Sequence, residues 1–281
     1  MSLTTKNHDR DAAGLLYVYP VLSRRARGVS VGINLNPNRA CNFRCIYCQV
    51  PGLSRGSAPV IDLPRLESEL YQLLEGIVHG TALHELAPQG LRRLNDVAFS
   101  GDGEPTSCSE FPEVVERVQH VLADLRILKR IKIILITNGS LMHRSHVQEG
   151  LAALAPLNGE VWFKIDRGTE LARQAVNDTT LSQSRLLKNL ETCASLCKTR
   201  IQTCWFAIDG EAPPDSEISA YVDLLHSIRA SGIAVQDVLL YGLARPSHQP
   251  EAPRLSALSA EAMEGFAERI RETGFPVEVS P

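Results

Sequence analysis

The chain has 281 residues, 44% of them hydrophobic and 22% charged, with a formal net charge of −3. That balance suits a folded protein with a sizeable core and excludes a largely disordered chain. It also excludes a global positive field that would draw the molecule onto nucleic acid or an anionic membrane. The chain opens on a polar stretch with Lys6, His8, Asp9, Arg10 and Asp11, which lacks the apolar centre of a signal peptide. Residues 1–18 are read as a polar extension and residues 19–281 as a single domain. No run approaches the roughly eighteen apolar residues of a membrane span, so a cytoplasmic protein is expected. The short basic run Ser23-Arg24-Arg25-Ala26-Arg27 is either a solvated loop or a local RNA-binding patch.

A β-rich run at residues 29–35 leads into a loop with Cys41, Cys45 and Cys48. Further strand-like runs fall at 96–100, 131–137, 160–166, 201–208 and 235–241, and a last one at 275–279. Between them lie helical stripes. Leu63, Leu66, Leu70, Leu73, Leu74 and Ile77 follow Asp62 as a candidate N-cap, and Val114, Val115, Val118, Val121, Leu122 and Leu125 follow Pro112. Leu186, Leu190, Cys193 and Cys197 form the next stripe, then Ile218, Tyr221, Leu225 and Ile228. A closing helix carries Ala262, Phe266 and Ile270 after Ser259. Successive βα units imply a parallel sheet, although the pattern does not choose between a barrel and an open sheet.

The seven cysteines, an odd number with three crowded into one loop, do not fit a secreted disulfide framework and point to a reducing compartment. The spacing C-x3-C-x2-C gathers three thiolates and offers no fourth. An iron–sulfur cube fully held by protein takes four, so three leave one iron open to an exogenous molecule. Zinc is the alternative, but structural zinc takes four ligands, usually as two separated pairs, and no second pair follows. Cys193, Cys197 and Cys204 are either a second cluster or buried, inert thiols. Cys108 is expected near the mouth of the site.

Functional groups of parallel sheets gather at the carboxyl ends of the strands. There the chain places Gly101-Asp102-Gly103-Glu104-Pro105-Thr106, whose glycines would let backbone pass close to a ligand, and then Thr137-Asn138-Gly139-Ser140. Lys164 and Asp166 project to the same side of their strand. Charges at such positions need a partner or a ligand, so they either contact cofactor or substrate, or form a buried salt bridge. Arg245 offers a planar fork for a carboxylate or phosphate. His248 is read as a surface bystander.

The cysteine loop with Tyr47 and Gln49, the Gly101 to Thr106 turn, Lys164-Ile165-Asp166 and Ala244-Arg245-Pro246 together resemble the radical S-adenosylmethionine (radical SAM) superfamily. Within it they are similar to the small iron–sulfur oxidoreductases related to the tRNA wyosine-base synthase. The resemblance implies a partial (β/α)6 TIM-like barrel, closed by the C-terminal helix and strand. It also implies a [4Fe-4S] cluster on Cys41, Cys45 and Cys48 whose open iron binds S-adenosylmethionine. Tyr47, Gly101, Gly103, Glu104 and Asn138 would shape the cofactor site, with Asp102 an extra residue in the glycine element. Lys164, Asp166 and Arg245 would face the substrate.

The implied reaction is reductive cleavage of S-adenosylmethionine to a 5′-deoxyadenosyl radical that acts on an unknown substrate. It would be fed by an external one-electron donor such as flavodoxin or ferredoxin. Modification of an RNA base, on tRNA above all, is the alternative within the class. The absence of any cysteine before Cys41 argues against the wyosine mechanism, which uses a second cluster held upstream. A non-catalytic iron–sulfur electron carrier or sensor is the alternative of another class.

Overall fold

The computed structural model describes residues 14–23 and 28–280. Most of the N-terminal extension and the run Arg24 to Arg27 therefore lie outside the described residues. Eight strands form one sheet: β1 (Val18–Ser23), β2 (Gly28–Ile33), β3 (Leu94–Phe99), β4 (Lys132–Thr137), β5 (Gly159–Lys164), β6 (Thr199–Cys204), β7 (Val235–Tyr241) and β8 (Val277–Ser280). Their order in the sheet is their order in the chain, and every neighbouring pair from β2 to β8 is parallel. A doubly wound sheet reverses direction at a switch point; here there is no reversal. The wall winds one way and stays open between β1 and β8, giving the partial barrel.

Helices fill the crossovers: α1 (Leu63–Val78), α2 (Phe111–Asp124), α3 (Ser145–Leu154), α4 (Glu170–Asn177), α5 (Gln183–Leu196), α6 (Asp215–Ala230) and α7 (Ala260–Arg271). Asp62 caps α1 by accepting from Arg65 N at 3.1 Å, and Ser259 caps α7 through Ala262 N at 3.1 Å. Each cap satisfies a backbone N–H that the first helical turn leaves unpaired. The helices bury stripes such as Leu66, Leu70, Leu74 and Ile77 against the outer face of the sheet, with Val31, Val97, Leu135 and Phe163 beneath them. Burying each such side chain stabilises the fold by about 1.5–3 kcal/mol.

Alternation along the strands sends the other side chains inward. Ser30, Asp96, Ser100, Trp162, Lys164 and Gln202 therefore line the barrel interior. At the strand beginnings the interior is closed by charge. Glu160, almost fully buried, meets Lys132 at 3.1 Å, Arg200 at 3.3 Å and Lys198 at 3.4 Å, while Trp162 Nε1 donates to it at 2.7 Å. Burial opposes its ionisation, but Trp162, Lys132 and Arg200 hold its pKa below the ordinary carboxylate value. Arg200 also clamps Asp237 at 2.6 Å and Glu278 at 2.9 Å.

Several expectations need correction. β1 carries Pro20, which removes a ladder donor and masks the strand in the sequence; it is tolerated because β1 is an edge, paired antiparallel to β2. The strand read at 201–208 stops at Cys204, and Ala207–Ile208 pairs separately with Leu255–Ser256. Cys197 lies beyond the end of α5 in extended backbone, and α7 buries Met263 where Ala262 was expected.

α3 was not foreseen because its buried face includes Gly150. A Cβ there would come 2.3 Å from the Phe111 ring. Alanine would add about 1 kcal/mol of helix propensity, whereas overpacking costs about 1–3 kcal/mol. Gly150→Ala is therefore expected to lower the melting temperature; an increase would show that Phe111 yields freely.

Candidate active site

The loop after β2 has little regular structure, so side-chain hydrogen bonds must set its path. Asn34 bridges it to the end of β3: its Nδ2 donates to Asp102 Oδ2 at 2.7 Å and its Oδ1 accepts from Asp102 N at 3.0 Å. Asn36 N also donates to Asn34 Oδ1 at 3.0 Å, and Asn36 Nδ2 donates to the Ala40 carbonyl at 2.9 Å. The glycines are needed for this crossing. A Cβ on Gly101 would lie 2.4 Å from Asn34 Oδ1, and one on Gly103 would lie 2.0 Å from Ala40 O. The cysteine loop thus passes close against both glycines, which also line the chamber, and the extra Asp102 is the partner of Asn34.

Glu104 is buried and spans β3 to β4. Its carboxylate accepts from Thr106 Oγ1 and Thr137 Oγ1, each at 2.6 Å, from Asn138 N at 2.7 Å and from Thr106 N at 3.2 Å. Burial nevertheless raises its pKa above the ordinary value. Asn138 continues the tie: its Nδ2 donates to Asn42 Oδ1 at 2.8 Å, while its Oδ1 accepts from Ser140 Oγ at 2.7 Å. On the other flank, Ile46 N donates to Val176 O at 2.9 Å, and Asn177 Nδ2 lies 3.3 Å from Cys45 Sγ. Ser247 Oγ donates to Ile46 O at 2.7 Å and to Cys48 O at 3.1 Å. His248 is exposed, yet its backbone N–H also holds Cys48 O, at 2.9 Å.

These ties bring Cys41, Cys45 and Cys48 to one chamber of about 350 Å³ together with Tyr47, Gly101, Gly103, Glu104, Asn138, Lys164 and Arg245. Asp166 is the exception among the predicted site residues. It is 2% exposed and lies behind the chamber wall. There it accepts from the Tyr47 hydroxyl, from Asn177 Nδ2 at 2.7 Å and from Cys204 N at 2.8 Å. It is turned to the protein, away from the substrate side on which it was placed. Lys164 Nζ stands 3.8 Å from Asp166, donates to Tyr241 Oη at 2.7 Å and lies 5.1 Å from the Tyr47 ring centre. Burial disfavours its charge, but Asp166, Tyr241, Cys204 and Cys45 raise its pKa above the usual lysine value.

The donor set fits an iron–sulfur cube. Three thiols from one loop border a single chamber, so they could hold three irons of a cube and would leave its fourth iron without a protein thiolate. Among the described residues, no three His, Cys, Asp or Glu side chains converge on a single metal ion. A lone zinc would gather its sulfurs at about 2.3 Å, whereas a cube spreads them over separate irons. Burial, with Glu104 next, pushes the Cys41 thiol up to about 12; burial, with Asp166 next, pushes Cys45 up to about 11.

The remaining cysteines do not form a second cluster. Cys193 and Cys197 sit in the helix-side core, and Cys108 is fully buried there, not at the mouth. Cys204 alone of these lines the chamber. Sequence reasoning passed over Asn34, Asn36, Asn42, Asn177 and Ser247, although a polar Asn-Leu-Asn-Pro-Asn run directly after an apolar strand was a signal for the first two.

The sequence profile described as the Radical SAM superfamily matches residues 35–225. A UPF0026 protein of Helicobacter pylori is 32% identical over 133 residues, which is 47% of this chain and 37% of that protein. The matches span between 17% and 42% of the length of the curated relatives. A solved radical SAM methyltransferase from Sphaerobacter thermophilus aligns with a TM-score of 0.61 at 17% identity, covering 93% of this chain and 68% of that one. Spore photoproduct lyase with bound AdoMet and dinucleoside spore photoproduct gives a TM-score of 0.54 at 12% identity, covering 89% and 75%. At these identities the structural likeness shows the fold.

Ligation requires thiolate, so loading a cluster onto Cys41 and Cys45 would displace their protons. The yield of bound iron and sulfide on anaerobic reconstitution is expected to fall as pH drops from about 8.5 to about 6.5, since protonated thiol gains at low pH. A pH-independent yield, read from metal analysis, would contradict this.

Proposed function

Because the chain belongs to the radical SAM superfamily, whose enzymes use a [4Fe-4S] cluster and S-adenosylmethionine, we propose that it is an enzyme that cleaves S-adenosylmethionine reductively to act on a substrate held in the barrel. The observation that carries the reading is the shared chamber of Cys41, Cys45, Cys48, the Gly101 to Glu104 turn, Asn138, Lys164 and Arg245. When bound, the cluster supplies one electron to the sulfonium, and S-adenosylmethionine yields methionine and a 5′-deoxyadenosyl radical that takes hydrogen from the substrate.

The chain's own residues set the stage for that chemistry. Cys41, Cys45 and Cys48 hold the cluster. The turn from Gly101 to Glu104, fixed by Asn34, Thr106 and Thr137, presents backbone to the methionyl end of the cofactor. Tyr47 is held by Asp166 so that its ring packs toward the adenine, and Asn138 borders the same space. Lys164 and Arg245 face the substrate, while Asp166 acts as a positioning residue behind Tyr47. The charged closure around Glu160 and Arg200 limits solvent entry from the opposite end, which protects a reactive intermediate from quenching.

The electron comes from a donor of the flavodoxin or ferredoxin kind, and the enzyme works in the cytoplasm. No helix among the described residues is long and apolar enough to cross a membrane. Within this class the finer reading is modification of an RNA base, which rests on the likeness of the motifs to the wyosine-base synthase group.

Reconstituted protein with reductant and S-adenosylmethionine is expected to release methionine and 5′-deoxyadenosine, followed by chromatography. Cys45→Ala should abolish the release. Turnover that survives this substitution would overturn the reading.

A further inference from the structure

The last turn of α4 lies along the cysteine loop. Arg44 N donates to Asn177 O at 3.2 Å and Ile46 N donates to Val176 O at 2.9 Å, so backbone bonds on both sides of Cys45 join the two segments. The Asn177 side chain, 4% exposed, is thereby set against the Cys45 sulfur without having to hold the loop there itself.

The orientation of its amide is fixed by Asp166. A carboxylate oxygen only accepts, and Asp166 Oδ2 lies 2.7 Å from Asn177 Nδ2, so the amide must turn its NH2 that way. An NH2 carries two hydrogens. One goes to Asp166, and the other is left for Cys45 Sγ at 3.3 Å. Asn177 thus stands as a neutral donor between an anion and a sulfur that becomes anionic when it binds metal.

Hydrogen bonds to the sulfurs are among the factors that set the potentials of iron–sulfur clusters. Reduction adds an electron whose charge spreads onto the cysteine sulfurs, and a donor bonds a more negative acceptor more strongly. An N–H aimed at Cys45 therefore favours the reduced state. The negative charge of Asp166 opposes an added electron, and the Asn177 amide lies between the two. Cys41 Sγ accepts from a backbone group, Phe43 N at 3.5 Å, which no side-chain substitution removes. At Cys45 the donor is a side chain, so it can be tested by replacement.

We propose that Asn177, acting through Cys45, raises the reduction potential of the cluster and so sets how strong a one-electron donor the enzyme requires. The proposal rests on the reading of Cys41, Cys45 and Cys48 as cluster ligands and names a residue that tunes that site. Asn177 is a positioning residue in this account, since it meets the sulfur and not the substrate.

The test is a redox titration of the full-length protein, reconstituted anaerobically and followed by electron paramagnetic resonance, for the native chain, Asn177→Leu and Asn177→Ala. Both variants should bind native amounts of iron and sulfide, because the backbone bonds from Arg44 and Ile46 remain. Asn177→Leu should lower the midpoint by about a tenfold change in the one-electron equilibrium, or about 59 mV. Asn177→Ala should lower it less, since water entering the vacated space donates in place of the amide. In D2O, electron–nuclear double resonance of the reduced native cluster should show a deuteron coupling that Asn177→Leu lacks.

An unshifted or raised midpoint in the variants that hold a cluster, or retention of that coupling in Asn177→Leu, would overturn the proposal. Loss of the cluster from both variants would also overturn it, by making Asn177 a structural support. A native protein that holds a reducible cluster yet releases no 5′-deoxyadenosine would instead defeat the proposed function, while the comparison of midpoints would still decide the role of Asn177. Uptake of no cluster by the native protein would defeat both.

Discussion

The site hangs on one buried carboxylate. Asp166 accepts the hydroxyl of Tyr47 from the cysteine loop, the amide of Asn177 from the end of α4 and the backbone N–H of Cys204 from the end of β6, with the Lys164 ammonium at 3.8 Å. The cysteine loop and the ends of α4, β5 and β6 are thereby fixed around one point. A buried anion is tolerated only when donors surround it, so each donor is constrained in turn. Asn177, held by this carboxylate, is the same amide that approaches Cys45 Sγ at 3.3 Å. The position of a chamber-lining sulfur is thus linked to a carboxylate that does not itself line the chamber.

The opposite flank uses a second carboxylate in the same manner. Glu104 binds three residues at the ends of β3 and β4, and Asn138 passes the constraint to Asn42 beside Cys41. The cysteine loop, which has almost no ladder of its own, is therefore gripped from two sides by rigid strand ends. Such support is what holds a site to the tolerance that catalysis needs. The glycines at 101 and 103 belong to this grip, since side chains there would strike Asn34 and Ala40.

Much of this was legible in the sequence, for identifiable reasons. The three-cysteine spacing is a local pattern, and the strand and helix periods are local too, so the parallel βα order and the chamber-lining positions could be read from one chain. What could not be read depends on tertiary geometry. The roles of Asn34, Asn42 and Asn177 arise from contacts 68, 96 and 132 residues away in sequence. Strand alternation aligned Asp166 with Lys164, but β5 ends at Lys164, and past that end the alternation no longer governs where a side chain points. α4 stayed hidden because its buried side consists of Arg173, Val176 and Asn177, which makes no apolar stripe.

The central claim is that three protein thiolates hold a cube whose remaining iron is free to bind S-adenosylmethionine. Electron paramagnetic resonance of the reduced, reconstituted protein, recorded before and after adding S-adenosylmethionine, tests it directly. The account predicts a changed spectrum, because the amino and carboxylate groups of the added molecule enter the coordination sphere of that iron. An unchanged spectrum, with a saturating amount of the cofactor present, would mean that the fourth position is already filled and would contradict the account.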